Sequence, residues 1–210
     1  ELARLLARYR AERPVILAVP RGGVIVGEEV ARALQAPLDV IVARKIGAPA
    51  QPELAIGAVV GGEPPLRLIN RELVELLGVS DDYLEREARR QEEEIRRRLE
   101  RFRGRRPPLE LRGRTVILVD DGIATGYTMR AALAAVRRQA PARVVVAVPV
   151  APPETVRMLA EEADEIVCLA TPSPFYAVGA WYREFPQVSD DEVAAILVSA
   201  AEPEPGQRTA

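Results

Sequence analysis

The stretch that decides the fold is Val116-Ile-Leu-Val-Asp120-Asp121-Gly122-Ile123-Ala124-Thr125-Gly126-Tyr127-Thr128. Four apolar, mostly β-branched residues run directly into two acids and a loop of small residues. An Ala-rich helical pattern follows, from Met129 to Gln139. A continuous apolar run predicts a strand buried on both faces, as in a parallel sheet. The strand, loop and helix start together predict an anion site, because free backbone N–H groups and the helix dipole favour a phosphate.

The loop and the two acids predict different parts of one ligand. Both glycines can adopt positive φ and let a ligand approach the backbone, while both threonines add hydroxyl donors. Asp120 and Asp121 would repel a phosphate that touched them. They are better placed to accept hydrogen bonds from vicinal sugar hydroxyls, or to hold a hydrated Mg²⁺. The stretch therefore predicts a site for a ribose 5-phosphate.

The same stretch resembles the signature of the type I phosphoribosyltransferases, in which hydrophobic residues and two acids precede a small-residue loop. The resemblance implies that Asp120 and Asp121 (the diacid) bind the ribose hydroxyls of phosphoribosyl pyrophosphate (PRPP), and Mg²⁺ through water. It implies that residues 122–128 (the phosphate loop) bind the 5-phosphate. The alternative is an ordinary strand-to-helix turn with an acidic N-cap, which would need only one of these features.

A second strand–loop–helix unit begins at Val15 to Val19 and continues through Pro20-Arg21-Gly22-Gly23 into a helix from about Val24 to Leu34. Arg21 carries a fixed, forked charge suited to a diphosphate. Residues 20–23 (the Arg-Gly-Gly loop) resemble the pyrophosphate loop of the same family. A purely structural turn is the alternative.

Two adjacent cations, Arg44 and Lys45, end a third predicted strand from Leu38 to Ala43. At the carboxyl end of a parallel strand they would face the crevice where α/β sheets bind ligands. They resemble a pair that serves the pyrophosphate in the adenine and orotate enzymes; a solvated strand end is the alternative. The Gly/Pro-rich loop that follows, 46–53, is a candidate for a mobile flap that excludes water from the reaction.

Residues 54–106 predict an elaboration of the sheet. Leu54 to Val60 and Leu66 to Ile69 suggest a pair of strands, and residues 70–106 a helical insertion with Ser80 as an N-cap. Many arginines follow in this insertion and could form an RNA patch: Arg96, Arg97, Arg98, Arg101, Arg103, Arg105 and Arg106. Interleaved glutamates favour a solvated or subunit-contact helix instead.

Residues 171–188 (the hood) hold most of the aromatic side chains, which can stack on a planar heterocycle. The run resembles the hood of hypoxanthine–guanine phosphoribosyltransferases, which implies a base site at Tyr176, Val178 and Trp181. A local aromatic core that packs the helix 190–198 is the alternative. Those enzymes have an Asp where this chain has Ala124, so a purine reaction would need another acid or base, for which Glu53 is the candidate.

Composition and charge limit the number of domains, the kinds of catalytic and metal site, and the partners that this chain can have. The 210 residues suit one α/β domain at 1–198, and the formal charge of −2 argues against nucleic acid as the default partner. The absence of histidine excludes His-dependent triads and metal sites. Cys168, the lone cysteine, suggests a packed thiol and a cytoplasmic setting. No run suits a membrane span or signal peptide, and residues 199–210 are predicted to be a disordered tail.

The predicted fold is α/β, with a central, mainly parallel sheet of about five strands, helices on both faces, a small hood and a helical insertion. The resemblance implies an Mg²⁺-dependent transfer of ribose 5-phosphate from PRPP to a base, with a purine-like base favoured, in a homodimer. A non-catalytic PRPP-sensing regulator that binds RNA or a protein is the alternative. A sugar-phosphate phosphatase is less favoured, since no nucleophile-plus-metal arrangement is visible.

Overall fold

The computed structural model describes residues 1–200. The predicted tail lies outside these residues except for its first two positions, where Ser199 ends a helix. Short 3₁₀ segments cover Ala7–Glu12 and Val178–Trp181. The helices are α1 Leu2–Leu6, α2 Gly22–Leu34, α3 Arg71–Leu76, α4 Asp81–Arg103, α5 Tyr127–Arg137, α6 Pro153–Ala160 and α7 Asp190–Ser199. The strands are β1 Val15–Ala18, β2 Leu38–Val40, β3 Ala43–Ala48, β4 Gln51–Val60, β5 Leu66–Ile69, β6 Thr115–Val119, β7 Arg143–Val150 and β8 Glu165–Ala170.

The central sheet has five parallel strands in the order β2-β1-β6-β7-β8, which confirms the predicted fold class. Every residue of β1 and β6 is buried, as continuous apolar runs require when helices cover both faces. Ala18 pairs with Val119, so the carboxyl ends of β1 and β6 lie side by side. The two loops predicted to bind phosphate groups therefore leave the sheet at neighbouring points.

Side chains of β6 alternate between two cores. Ile117 and Val119 join the core formed with α1, α2, α4 and α7, whereas Val116 and Leu118 join the core formed with α5 and α6. This alternation follows from the two-residue period of a strand. None of the helices within residues 1–200 is both long and apolar enough to cross a membrane.

A second, antiparallel sheet of three strands, β3-β4-β5, corrects the prediction for residues 38–53. The predicted third strand ends at Val40, and the predicted flap loop forms the turn end of the β-hairpin made by β3 and β4. Gly47 marks the bulge in this hairpin, and a Cβ there would lie only 2.4 Å from the carbonyl oxygen of Pro52. Glycine in this segment thus allows two strands to approach, where the sequence suggested an open loop. The predicted pairing of β4 with β5 is confirmed.

The insertion consists of α3 and α4, and α4 is held at its carboxyl end by a buried ion pair. Its N-cap is Ser80, as predicted. Arg103 Nε lies 2.7 Å from Asp39 Oδ1, and its Nη2 donates to the carbonyl of Val40 at 2.7 Å. Several arginines of the alternative RNA patch form ion pairs: Arg96 pairs with Glu100, Arg97 and Arg98 with Glu94, and Arg101 with Asp190 and Asp191. These contacts favour a helix that packs within the domain.

Candidate functional site

The Arg-Gly-Gly loop and the diacid meet at the carboxyl edge of the central sheet. Val19 N donates to the carbonyl of Val119 at 2.8 Å, which extends the β1–β6 pairing beyond β1. A Cβ on Gly22 would lie 1.8 Å from Asp121 Oδ2, and one on Gly23 would lie 2.9 Å from the Cα of Asp120. Only glycines allow so close an approach. The Pro20–Arg21 peptide bond, in the same loop, is cis.

Neither helix that begins at this edge has a side-chain N-cap. Helix α2 follows Arg21 and helix α5 follows Gly126, and neither N-cap side chain forms a capping hydrogen bond. Gly126 has φ +79° and packs so closely on Met158 that a Cβ would lie 2.6 Å from its Cε. The first N–H groups of both helices are thus available to an anion, in line with the anion site that the strand–loop–helix pattern predicts.

Hydrogen bonds to β7 and α6 hold the backbone of the phosphate loop, while its threonine side chains are exposed to solvent. Ile123 is buried, and its N–H donates to the carbonyl of Val150 at 3.0 Å. Thr155 Oγ1 donates to the carbonyl of Ala124 at 2.7 Å. The side chains of Thr125 and Thr128 are exposed. The sequence did not single out Thr155, because its position on α6 gives no motif signal.

Burial dominates the electrostatics of the diacid. It raises the pKa of Asp120 well above the ordinary 3.8, and the neighbouring charge of Asp121 adds to this rise. Burial also raises the pKa of Asp121. Asp120 Oδ1 accepts a hydrogen bond from the backbone N–H of Asp121 at 2.8 Å. No arginine or lysine of the described residues offsets either shift, so a ligand that brings hydroxyl donors or a cation would stabilise the two carboxylates.

The diacid fits a magnesium ion that arrives with a phosphorylated substrate. Within residues 1–200, no group of three or more His, Cys, Asp or Glu residues could hold a metal ion. Mg²⁺, however, commonly keeps several waters and binds through one or two carboxylates together with substrate phosphates. Asp120 and Asp121 offer that partial set of ligands, and not a complete metal cage.

The hood touches the phosphate loop through Val178 and the diacid through Tyr182. A Cβ on Gly122 would lie 2.5 Å from Val178 Cγ1, so the hood rests directly on the phosphate loop. The hydroxyl of Tyr182 donates to the carbonyl of Asp121. Burial, with the charges of Asp121 and Asp120, raises the pKa of Tyr182 to about 12, which keeps this hydroxyl protonated as a donor. Tyr182 was not among the predicted site residues, and its only signal was membership of the aromatic cluster.

The other predicted base-binding residues lie at the surface of the hood. Tyr176 is 84% exposed and Trp181 47% exposed. Trp181 stacks on Phe175, with ring centroids 6.4 Å apart and planes at 21°. Val178, in contrast, lies against Gly122 of the phosphate loop.

The side chains of the two adjacent cations leave β3 on opposite faces of the antiparallel sheet, although both residues line a cleft between this sheet and α5. Arg44 pairs across the sheet with Val59, whose other partner Arg67 bonds to glutamates of α4. Arg44 Nε itself donates to Gln91 of α4 at 2.9 Å. The reason is the two-residue period of β3, which sends consecutive side chains to opposite sides.

Lys45 occupies the other face, toward α5. Its cross-strand neighbour Ala58 pairs with Leu68, and both pack in the core that contains α5. A cleft of about 460 Å³ lies between this sheet and α5, and its lining includes Arg44, Lys45, Tyr127 and Thr128. The structure therefore brings Lys45 to the same cleft as the start of α5, while the guanidinium of Arg44 lies against α4.

Glu53 and Arg21 are both engaged by ionic partners. Glu53 is 95% exposed in its side chain and pairs with Lys45 at 2.7 Å, on the β3–β4 hairpin. Arg21 Nη1 lies 3.6 Å from Asp190 Oδ1, while its side chain remains 41% exposed. No contact of the described residues joins Glu53 to the diacid, whereas Arg21 directly precedes the glycines that touch it.

A family model described as the phosphoribosyl transferase domain matches residues 1–178. The chain belongs to the phosphoribosyl transferase domain family. It is 49% identical over 197 residues to the protein named "Putative phosphoribosyl transferase MT0597" of Mycobacterium tuberculosis (strain CDC 1551 / Oshkosh). The same figures hold for "Putative phosphoribosyl transferase Rv0571c" of strain ATCC 25618 / H37Rv. Each alignment covers 94% of this chain and 44% of the relative, so the chain spans less than half the length of these curated relatives.

Among solved structures, the crystal structure of TT1426 from Thermus thermophilus is 50% identical in sequence, with a TM-score of 0.81. The match covers 96% of this chain and 94% of that one. Membership of the phosphoribosyl transferase family confirms the resemblance drawn from residues 116–128.

Proposed function

We propose that this protein is an Mg²⁺-dependent phosphoribosyltransferase that moves ribose 5-phosphate from PRPP to a nitrogen of a base and releases pyrophosphate. One observation carries the proposal: the Arg-Gly-Gly loop and the diacid are in van der Waals contact at the carboxyl ends of β1 and β6. Two uncapped helix starts flank this contact, so the residues proposed to bind the phosphate, the ribose and the diphosphate are close together.

Each part of the site has a role in this reaction. The phosphate loop would hold the 5-phosphate on the N–H groups of α5. Asp120 and Asp121 would accept hydrogen bonds from the ribose hydroxyls, and their negative charge would stabilise the positive charge that develops at the anomeric carbon. Arg21 and Lys45 would stabilise the departing diphosphate.

Mg²⁺, when bound, would supply charge neutralisation of the diphosphate, and the diacid would hold it through water. Arg44 is omitted from this scheme, since its guanidinium lies against α4. Catalysis would rest on positioning and electrostatics, because the chain offers no histidine for proton transfer.

A purine-like base is the favoured acceptor, on the strength of the hood. Val178 and Trp181 would border the base, and the exposed Tyr176 could cover it only if it moved over the bound ring. Ala124 provides no carboxylate at the base. Glu53 would act as acid or base only after its ion pair with Lys45 opened. A base that needs no enzymatic proton transfer would therefore suit this site best.

The alternative, a PRPP sensor that binds RNA through α4, is less well supported. The sequence features that supported this alternative are the arginine-rich helix and Ala124, which stands where the hypoxanthine–guanine enzymes have an Asp. Arg96, Arg97 and Arg98 each pair with a glutamate of the same helix, and Arg101 pairs with α7. A strand of RNA would have to compete with these carboxylates for every one of those four side chains.

The test is pyrophosphate release from Mg²⁺ and PRPP against a panel of purines, pyrimidines and nicotinate, with mass detection of the nucleotide. We expect a product with one base, and Asp121→Asn should abolish it. Asp82→Asn, an exposed acid in the first turn of α4, is the matched control and should leave turnover unchanged. PRPP binding without a product from any base would contradict the transferase and favour the sensor.

A further inference from the structure

Asp190 lies between the Arg-Gly-Gly loop and the helical insertion. It is the first residue of α7, whose start is fixed by a capping box between Ser189 and Glu192. Its Oδ1 is 3.6 Å from Arg21 Nη1, and its Oδ2 is 3.5 Å from Arg101 Nη1. One carboxylate therefore connects the predicted pyrophosphate-binding arginine with α4.

The two oxygens of this carboxylate are in different situations. Asp190 Oδ1 is buried and accepts no hydrogen bond from any residue in the range 1–200. A desolvated carboxylate oxygen is costly unless a cation faces it, and Arg21 is the cation that lies against it. Arg101, in contrast, has a second partner, because its Nη2 lies 2.8 Å from Asp191 Oδ1.

We propose that Asp190 is a positioning residue that orients Arg21 for the diphosphate, an inference that rests on the proposed function. One guanidinium nitrogen of Arg21 faces Asp190, while 41% of the side chain stays exposed and accessible to a ligand. An unrestrained arginine loses considerable rotamer entropy when it binds a ligand, and Asp190 removes part of that cost before PRPP arrives. Through Arg101, the helical insertion in turn supports Asp190.

The neighbouring residue Asp191 provides a matched control. Asp191 is adjacent, carries the same charge and shares Arg101, but its side chain is 84% exposed and contacts no residue of the Arg-Gly-Gly loop in the described structure. Asp190→Asn and Asp191→Asn therefore remove the same charge from the same turn. They differ in whether Arg21 loses its partner.

The experiment is a double-mutant cycle read out as kcat, KM for PRPP and the Kd of PRPP by calorimetry. We expect Asp190→Asn to lower kcat/KM for PRPP by about tenfold or more, since small misplacement of a catalytic group is costly. Asp191→Asn should stay within about twofold, as is usual for an exposed ion pair. Asp190→Glu should restore part of the loss. In an Arg21→Met background, Asp190→Asn should have no further effect, because the two residues would act as one unit.

Three outcomes would overturn the inference. They are equal losses in Asp190→Asn and Asp191→Asn, an undiminished effect in the Arg21→Met background, and a tighter Kd of PRPP in Asp190→Asn. The last would mean that Asp190 holds Arg21 away from its ligand. Failure of the proposed function is distinguishable: wild-type protein that binds PRPP without forming a product would contradict the transferase alone, whereas wild-type protein that does not bind PRPP would overturn both the transferase and the inference. A chain that binds PRPP without turnover still tests the inference through Kd.

Discussion

Replacement of Gly22 by alanine should separate activity from stability. The added Cβ would lie 1.8 Å from Asp121 Oδ2, whereas ordinary contact begins at 3.4 Å. The carboxylate oxygen must therefore withdraw by about 1.6 Å, and Cγ of Asp121, which would lie 2.7 Å from the new Cβ, must move with it. Rotation of the Asp121 side chain about χ1 moves both atoms at a cost of roughly 0.5–1.5 kcal/mol. The better helix propensity of alanine, up to about 1 kcal/mol, offsets much of this cost. We expect the free energy of unfolding to change by less than about 1 kcal/mol, while kcat/KM falls about a hundredfold as Asp121 leaves the ribose.

Two further glycines make this prediction decisive. In Gly23→Ala the Cβ would meet backbone, the Cα of Asp120 at 2.9 Å, so this variant should lose about 1–3 kcal/mol of stability as well as activity. Gly62→Ala, whose Cβ would approach only the carbonyl of Pro64 at 3.3 Å, should leave turnover intact. Urea unfolding and pyrophosphate release measure the two quantities. Wild-type kcat/KM in Gly22→Ala, or a larger loss of stability there than in Gly23→Ala, would refute the reasoning.

Other substitutions test separate parts of the structure. Tyr182→Phe removes the donor to the carbonyl of Asp121 and should cost roughly 0.5–1.5 kcal/mol in urea unfolding together with a measurable loss of kcat/KM. Tyr176→Phe, at an 84% exposed position, should leave stability unchanged. Equal losses of stability in Tyr182→Phe and Tyr176→Phe would show that the hydrogen bond from Tyr182 to Asp121 does not hold the hood in place. Asp121→Asn should raise the free energy of unfolding at neutral pH. Burial raises the folded-state pKa above the ordinary 3.8, so ionisation at higher pH opposes folding, and the gain should vanish as pH falls below 3.8. A gain that persisted in acid would contradict this assignment. Arg103→Met leaves the buried carboxylate of Asp39, in β2, without its cation and should lower the free energy of unfolding by about 3–5 kcal/mol. Arg96→Met, which breaks an exposed pair, should cost less than about 1 kcal/mol, and similar losses in both would show that the buried pair has no special weight.

The sequence was most informative where local chemistry and fold coincide. The apolar run before Asp120 could only be a strand buried on both faces, and the glycines after it could only serve a turn, so strand, loop and helix followed together. The same reasoning located the Arg-Gly-Gly loop. The contact between the Arg-Gly-Gly loop and the diacid depends on strand order, which the sequence left open and the pairing of β1 with β6 decides.

Other features depended on contacts between distant parts of the chain. The segment 46–53 was predicted to be a loop because Gly and Pro weaken strands, but the fit of Gly47 against Pro52 makes glycine a requirement of the hairpin. Thr155, Tyr182 and Asp190 act through single hydrogen bonds or ion pairs across long sequence separations. No periodicity or motif marks such residues, so their roles could not be predicted.

The opposite orientation of Arg44 and Lys45 makes the length of the preceding linker more important than its composition. The linker between β2 and β3 continues the alternation of a strand: Val40 and Val42 pack in one core, and Ile41 and Ala43 in the other. The direction of each side chain in β2 therefore determines the direction of each side chain in β3. Deletion of one residue from this linker would exchange the faces to which the two side chains point, directing the lysine toward α4 and the arginine toward α5. In a library of homologous chains, the linker should therefore tolerate apolar substitutions freely, while insertions or deletions of a single residue should be selected against.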